Sequence, residues 1–110
     1  MRLPGAERAV VDTAKLRDYC LNPNHPRGRH KARVFASALG LTVADSDILR
    51  QALVDAATSF EATPGDKDDY GQRYVLDFPM KGPAGEATVR SNWIVLAGED
   101  FPRLTSCYVL

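Results

Sequence analysis

Three kinds of side chain in this sequence suit proton transfer or the holding of negative charge. The cations Arg29, Lys31, Arg90 and Arg103 are one kind, and the hydroxyls of Tyr70, Thr105, Ser106 and Tyr108 are another. The imidazoles of His25 and His30 are the third. Such groups supply a base, an acid and positive charge for an anion that grows in a transition state. An unperturbed imidazole titrates near neutrality, which makes either histidine a natural base. Cations in one place would attract a phosphate, each through a charge-assisted contact. No Cys–His set has zinc spacing, and Asp68–Asp69 is a carboxylate pair with no third ligand. No phosphate loop, dinucleotide fingerprint or nucleophile elbow is present. The reading therefore expects neither metal nor cofactor.

Each of these residues also has a purely structural reading. Lys31 can lay its stem over the core and keep its amine in water. Arg90 can be an ordinary strand arginine, and Thr105 and Tyr108 good strand formers. His25, between Asn24 and Pro26, fits a turn. Cys20 and Cys107 lie far apart in a chain of average composition and read as free, partly buried thiols.

The elements that must position these groups follow from periodicity. Ala9–Val11 suits a short strand, and Asp12 or Thr13 can cap a short helix through Tyr19. Asn22-Pro23-Asn24-His25-Pro26 stops it. A second helix is predicted from Gly28 to a terminating Gly40, with Val34, Phe35, Ala38 and Leu39 as its apolar stripe. Lys31 projects along that stripe one turn earlier, with His30 at its edge and Arg29 and Arg33 pointing away. A third helix runs from Asp45, as N-cap, to Ala57, with Ile48, Leu49, Ala52, Leu53 and Ala56 inward. Thr63–Tyr70 reads as an acidic loop. From about Phe60 the period shortens to two, giving strands near 72–80, 86–96 and 103–109. Short turns between them imply an antiparallel meander. Alternation puts Arg90 opposite Trp93 on its strand. Arg90 is on the open face if Trp93 meets the helices, and buried and paired if it does not.

The chain has 110 residues, room for one α+β domain over residues 1–110. At 45% hydrophobic and 25% charged residues it is neither disordered nor membrane-spanning. A formal net charge of zero gives no bulk argument for nucleic-acid binding. The distribution is less even. Lys15, Arg17, Arg27, Arg29, Lys31 and Arg33 share a stretch whose only acid is Asp18, and acids dominate residues 45–69. That asymmetry suits an anionic ligand, or simply a solvated surface. The opening Met1–Gly5 lacks the apolar stretch of a signal peptide. The expectation is a cytoplasmic protein, or the tip of a larger toxin delivered into a target cell's cytoplasm.

A series of motifs runs through nearly the whole chain. It comprises Lys15-Leu16, Tyr19, Leu21–Pro26, Gly28, Lys31–Phe35 and Ala38–Gly40. It continues through Asp69–Tyr74, Thr88–Arg90, Trp93-Ile94, Pro102–Thr105 and Tyr108-Val109. The series resembles an uncharacterised bacterial domain family, domain of unknown function 6883, whose members occur alone and at the C-terminal ends of polymorphic secreted toxins. Leu3–Val10 resembles the start of such toxin tips. By fold analogy the resemblance implies helices on one face of a C-terminal sheet, like barnase-like and colicin-type nucleases. It implies a metal-independent ribonuclease acting on tRNA or other RNA through the 2′-OH, with a cognate immunity or antitoxin partner. The catalytic set implied is Lys31, Arg90, Thr105, Tyr70 and His30, with Arg29, Arg103, Tyr108 and Ser106 binding substrate. His30 stands where an amide residue is more usual, and Ser106 where a threonine is. The contrasting reading is a non-catalytic binding module, immunity-like or adaptor-like, with the sheet as its docking face.

Overall fold

A computed structural model describes residues 1–110. Helix α1 begins at Thr13–Lys15 and continues as a π-helical segment, Leu16–Cys20. Asp12 caps it, its Oδ1 accepting from the Ala14 N–H at 2.9 Å. Helix α2, Arg29–Val34, likewise widens into a π segment, Phe35–Leu39, and stops at Gly40. Gly40 has φ 73°, a left-handed conformation that a side chain would strain. Helix α3 is Ser46–Ser59. Asp45 serves the turn before it, accepting from the Thr42 N–H at 2.9 Å, and makes no side-chain cap to α3 itself.

The second half is a four-stranded antiparallel meander, order β1-β2-β3-β4. The strands are β1 (Thr63–Lys67), β2 (Gly71–Gly82), β3 (Gly85–Leu96) and β4 (Arg103–Val109). The α+β layout expected from the change of period is the one observed. One correction concerns the acidic loop: Thr63–Lys67 is an edge strand pairing with residues 72–75 of β2. Its five residues are all exposed, so it carries no apolar alternation to reveal it. Pro64 is tolerated because an edge strand leaves one side unpaired. Val10 forms a single parallel bridge to Arg103, so the lead-in strand exists only as one rung.

The helices cover one face of the sheet. Tyr74, Leu76, Phe78 and Met80 of β2 and Val89 and Trp93 of β3 are buried against Leu16, Phe35, Leu39, Leu49 and Leu53. Two expected core residues are not inside. Val34 is 40% exposed and Ile48 is 56% exposed. Ala32 takes the inward position one turn before the π segment, and Ile48 lies on the rim of a groove between α3 and β2. Both cysteines are free and fully buried, deeper than expected.

Trp93 has no exposed surface, and its Nε1–H donates to Ser91 Oγ at 2.9 Å. Ser91 Oγ donates in turn to the Leu76 carbonyl at 2.6 Å. An alanine at position 91 strands a buried indole N–H. Ser91→Ala should cost about 1–3 kcal/mol in urea unfolding followed by Trp93 fluorescence. A loss well below that range would show the indole finding another acceptor.

Candidate functional site

Burying Trp93 on the helix side decides the face of Arg90, which lies on the open side of the sheet. The register aligns Arg90 with Asp77 on β2 and with Tyr108 on β4. Arg90 grips Asp77 with both arms, Nε to Oδ1 at 2.9 Å and Nη2 to Oδ2 at 2.8 Å. This hydrogen-bonded pair holds the Asp77 carboxyl below its ordinary range. It also raises the Arg90 guanidinium above its usual value, with the Tyr108 hydroxyl adding to the effect.

Lys31 reaches the same tyrosine from the helix layer. Its Nζ is 4.5 Å from the centroid of the Tyr108 ring, a cation–π contact. Lys31 and Arg90 thus both meet Tyr108, but only Lys31 lines the cleft between α1, α2 and β4. That cleft has a volume of about 550 Å³, and its wall includes Asp12, Lys15, Asp18, Tyr19, Lys31, Thr105 and Ser106. Gly28 sets the distance between its two helices. A side chain there would run into the Tyr19 carbonyl, so only glycine lets α2 start this close to α1.

The cleft's electrostatics are unequal. Asp12 is turned to the Ala14 N–H, and Asp18 is paired with Arg17 at 3.1 Å. Lys15 Nζ reaches only the Leu104 carbonyl, at 3.4 Å, and Lys31 only the Tyr108 ring. The acids are committed locally, while the two ammonium groups have no counter-charge of their own. Beneath them the Cys20 thiol is pulled down to about 7, first by its hydrogen bond with Cys107 and then by Lys15 and Lys31. Cys107 is pushed up by the same bond and by burial.

Strand β4 carries a bulge. Asn92 opposes Ser106 but Trp93 opposes Leu104, so Thr105 is the extra residue. Leu104 and Cys107 therefore both point into the core, and the hydroxyls of Thr105 and Ser106 stand side by side at the cleft. Thr105 Oγ1 donates to the Asn92 carbonyl at 3.0 Å.

The other sequence candidates lie elsewhere. His30 and Arg29 are exposed on α2 and line neither this cleft nor the sheet face. Tyr70 is 73% exposed in the turn between β1 and β2. Arg103 is held by Glu99 through two bonds, at 2.8 and 2.9 Å. His25 is structural, its Nδ1 accepting from the N–H groups of Arg27 and Gly28 at 3.0 and 3.1 Å. Sequence reasoning missed Lys15 and Tyr19 as cleft residues. Their spacing of four puts both on one side of α1, but only the packing of α2 makes that side a cleft wall.

The chain is thus an α+β protein with a hydroxyl-lined cleft, holding two lysines without ion-pair partners, where two helices meet an edge strand. The family model described as Domain of unknown function (DUF6883) matches residues 2–110, and the chain belongs to that family. No curated protein matches it. Among solved structures it is similar to a chain of a contact-dependent growth inhibition toxin–immunity protein complex from Klebsiella pneumoniae 342. The TM-score is 0.71 at 16% identity, over 92% of this chain and 99% of that one. At that identity the likeness is one of fold. No helix is long and apolar enough to cross a membrane.

The Asp77–Arg90 pair gives a pH signature. Because the folded value of Asp77 is lowered, its stabilisation is present above the ordinary carboxylate value of 3.8. It is lost as pH falls through the lowered value. Asp77→Asn should flatten the acid limb of a stability-against-pH curve read by Trp93 fluorescence, and leave the neutral region less stable. An unchanged acid limb would show that the pair contributes nothing.

Proposed function

We propose that this domain is a metal-independent endoribonuclease, a polymorphic-toxin C-terminal domain or a stand-alone relative, acting on tRNA or other RNA. The observation that carries the reading is the pair of ammonium groups, Lys15 and Lys31, without counter-charges beside the paired hydroxyls of Thr105 and Ser106. The lysines would hold the scissile phosphate and its developing charge. The hydroxyls would orient it. One of the cleft carboxylates, Asp12 or Asp18, would take the 2′-OH proton, and the leaving 5′-oxygen would be protonated from the lysine side. The product would be a 2′,3′-cyclic phosphate. The fold shared with a chain of a toxin–immunity complex supports this setting, with an immunity protein as partner and delivery into a target cell.

A binding-module reading is favoured by a different feature. The groove between α3 and β2, about 540 Å³, is lined by Ile48, Ala52, Phe60, Phe78 and Met80, with Ile48 and Phe60 partly in solvent.

The deciding experiment is cleavage of total tRNA by the purified chain in EDTA. Cleavage should proceed in chelator, and Lys31→Ala should slow it by about 10²–10³-fold. His30→Ala should leave the rate unchanged, since His30 stands outside the cleft; a comparable loss would move the base to that imidazole. Cleavage that needs added magnesium would reject the mechanism. Well-folded protein that cleaves no RNA would favour the binding module.

A further inference from the structure

One nucleophilic pair, Cys20 and Cys107, has no part in the cleft chemistry proposed above. Cys20 ends the π segment of α1, and Cys107 stands on β4 just beyond the bulge. Both side chains are free, and each is 1% exposed. They come from opposite ends of the chain, yet the two thiols are hydrogen-bonded to each other. Each is the chain neighbour of a cleft residue, Tyr19 in one case and Ser106 in the other. The pair therefore lies behind the wall of the lysine cleft, where α1 meets β4.

The two sulfurs are not equivalent. Cys20 accepts from the Cys107 thiol and from the Cys107 backbone N–H, and Lys15 and Lys31 add positive charge nearby. Together these bring Cys20 down to about 7 in spite of its burial. Cys107 is pushed up, because it gives its S–H to Cys20 and is buried in the core. One sulfur is thus substantially ionised near neutral pH, and the other keeps its proton. The thiolate is the nucleophilic form, and a thiol in contact with it can resolve its oxidised product. Sulfurs in hydrogen-bond contact are separated from a covalent bond by side-chain rotation, not by refolding. Burial restricts the oxidant to one little larger than water.

We infer that Cys20 and Cys107 form a peroxide-reactive dithiol, in which Cys20 attacks and Cys107 resolves. The Cys20 thiolate attacks one oxygen of hydrogen peroxide. The O–O bond breaks, and the departing hydroxide takes a proton from solvent and leaves as water. Cys20 is then a sulfenic acid. The Cys107 sulfur attacks the Cys20 sulfur, the S–O bond breaks, and the Cys107 proton goes to the leaving hydroxyl as a second water. Two thiols are oxidised to one disulfide, and one peroxide is reduced to two waters. The new bond ties the α1 wall of the cleft, with Lys15 and Tyr19, to its β4 wall, with Thr105 and Ser106. The dithiol stands independently of the ribonuclease reading.

The test treats the purified full chain with hydrogen peroxide and follows its mass and its proteolytic peptides without reductant. The folded chain should lose two hydrogens and yield a peptide in which Cys20 is joined to Cys107. At neutral pH this should run about tenfold or more faster than in the same chain unfolded in urea, where neither sulfur has these neighbours. Its rate should climb as pH passes through about 7, following Cys20. The oxidised chain should unfold at higher urea than the reduced one, since the bond closes most of the chain into one loop. Cys107→Ser, close in size, should stop at a Cys20 sulfenic acid that dimedone traps. Folded protein that keeps both thiols in peroxide would overturn the dithiol. So would a cross-link that forms no faster folded than unfolded, or a dimedone adduct on Cys107 of the unaltered chain in place of Cys20.

Discussion

Trp93 is enclosed between the sheet and the helices, and its indole N–H is answered by a serine on its own strand. The arrangement of polar groups across the molecule follows from that burial. Side chains alternate along a strand, so placing residue 93 inward places 89 and 91 inward and 90 and 92 outward. Antiparallel register then brings Asp77 and Tyr108 beside Arg90, and Ser106 beside Asn92. A one-residue slip would bury the arginine without its carboxylate and expose the tryptophan, which makes the register strongly specified.

Alternation alone would still separate the hydroxyls of Thr105 and Ser106 onto opposite faces. The bulge prevents this. Leu104 and Cys107 are three residues apart, yet both are buried, because the extra residue between them restores the phase. The distortion is answered locally by the Thr105 hydroxyl bonding to the Asn92 carbonyl. Two adjacent hydroxyls on a sheet edge are thus a product of the same apolar constraint that sets the face of Arg90. Bulges are frequent where a strand must re-aim a side chain.

Most of the fold was legible because it depends on local periods. The spacing of three and four in α2 and α3, the terminating Gly40, and the period of two from Tyr74 onward all announce their elements. The misses have local causes. Strand β1 is exposed throughout, so it has no apolar alternation. The π segments of α1 and α2 change the angular step that places side chains, and an ideal 100° projection therefore misjudged Val34. The candidate site was legible only in part. Lys31 stood out from its place on α2, and Thr105 and Ser106 from the family resemblance. Lys15 and Tyr19 become site residues only when Gly28 lets α1 and α2 touch, a long-range contact that no window of sequence displays.

Charge balance explains why composition was silent about the cleft. Two lysines and two aspartates line it, a sum of zero in a chain whose formal charge is also zero. What distinguishes the cleft is how those charges are committed. Asp12 serves the backbone of its own helix, and Asp18 serves Arg17. Lys15 and Lys31 face a carbonyl and a ring, partners that leave the full positive charge in place. An anion entering between them would meet ammonium groups that no carboxylate has neutralised. Such a cleft attracts through short-range contacts rather than a long-range field, because the molecule as a whole offers an approaching anion no net attraction. In the proposed ribonuclease, capture would then depend on shape and on the groups beyond the phosphate.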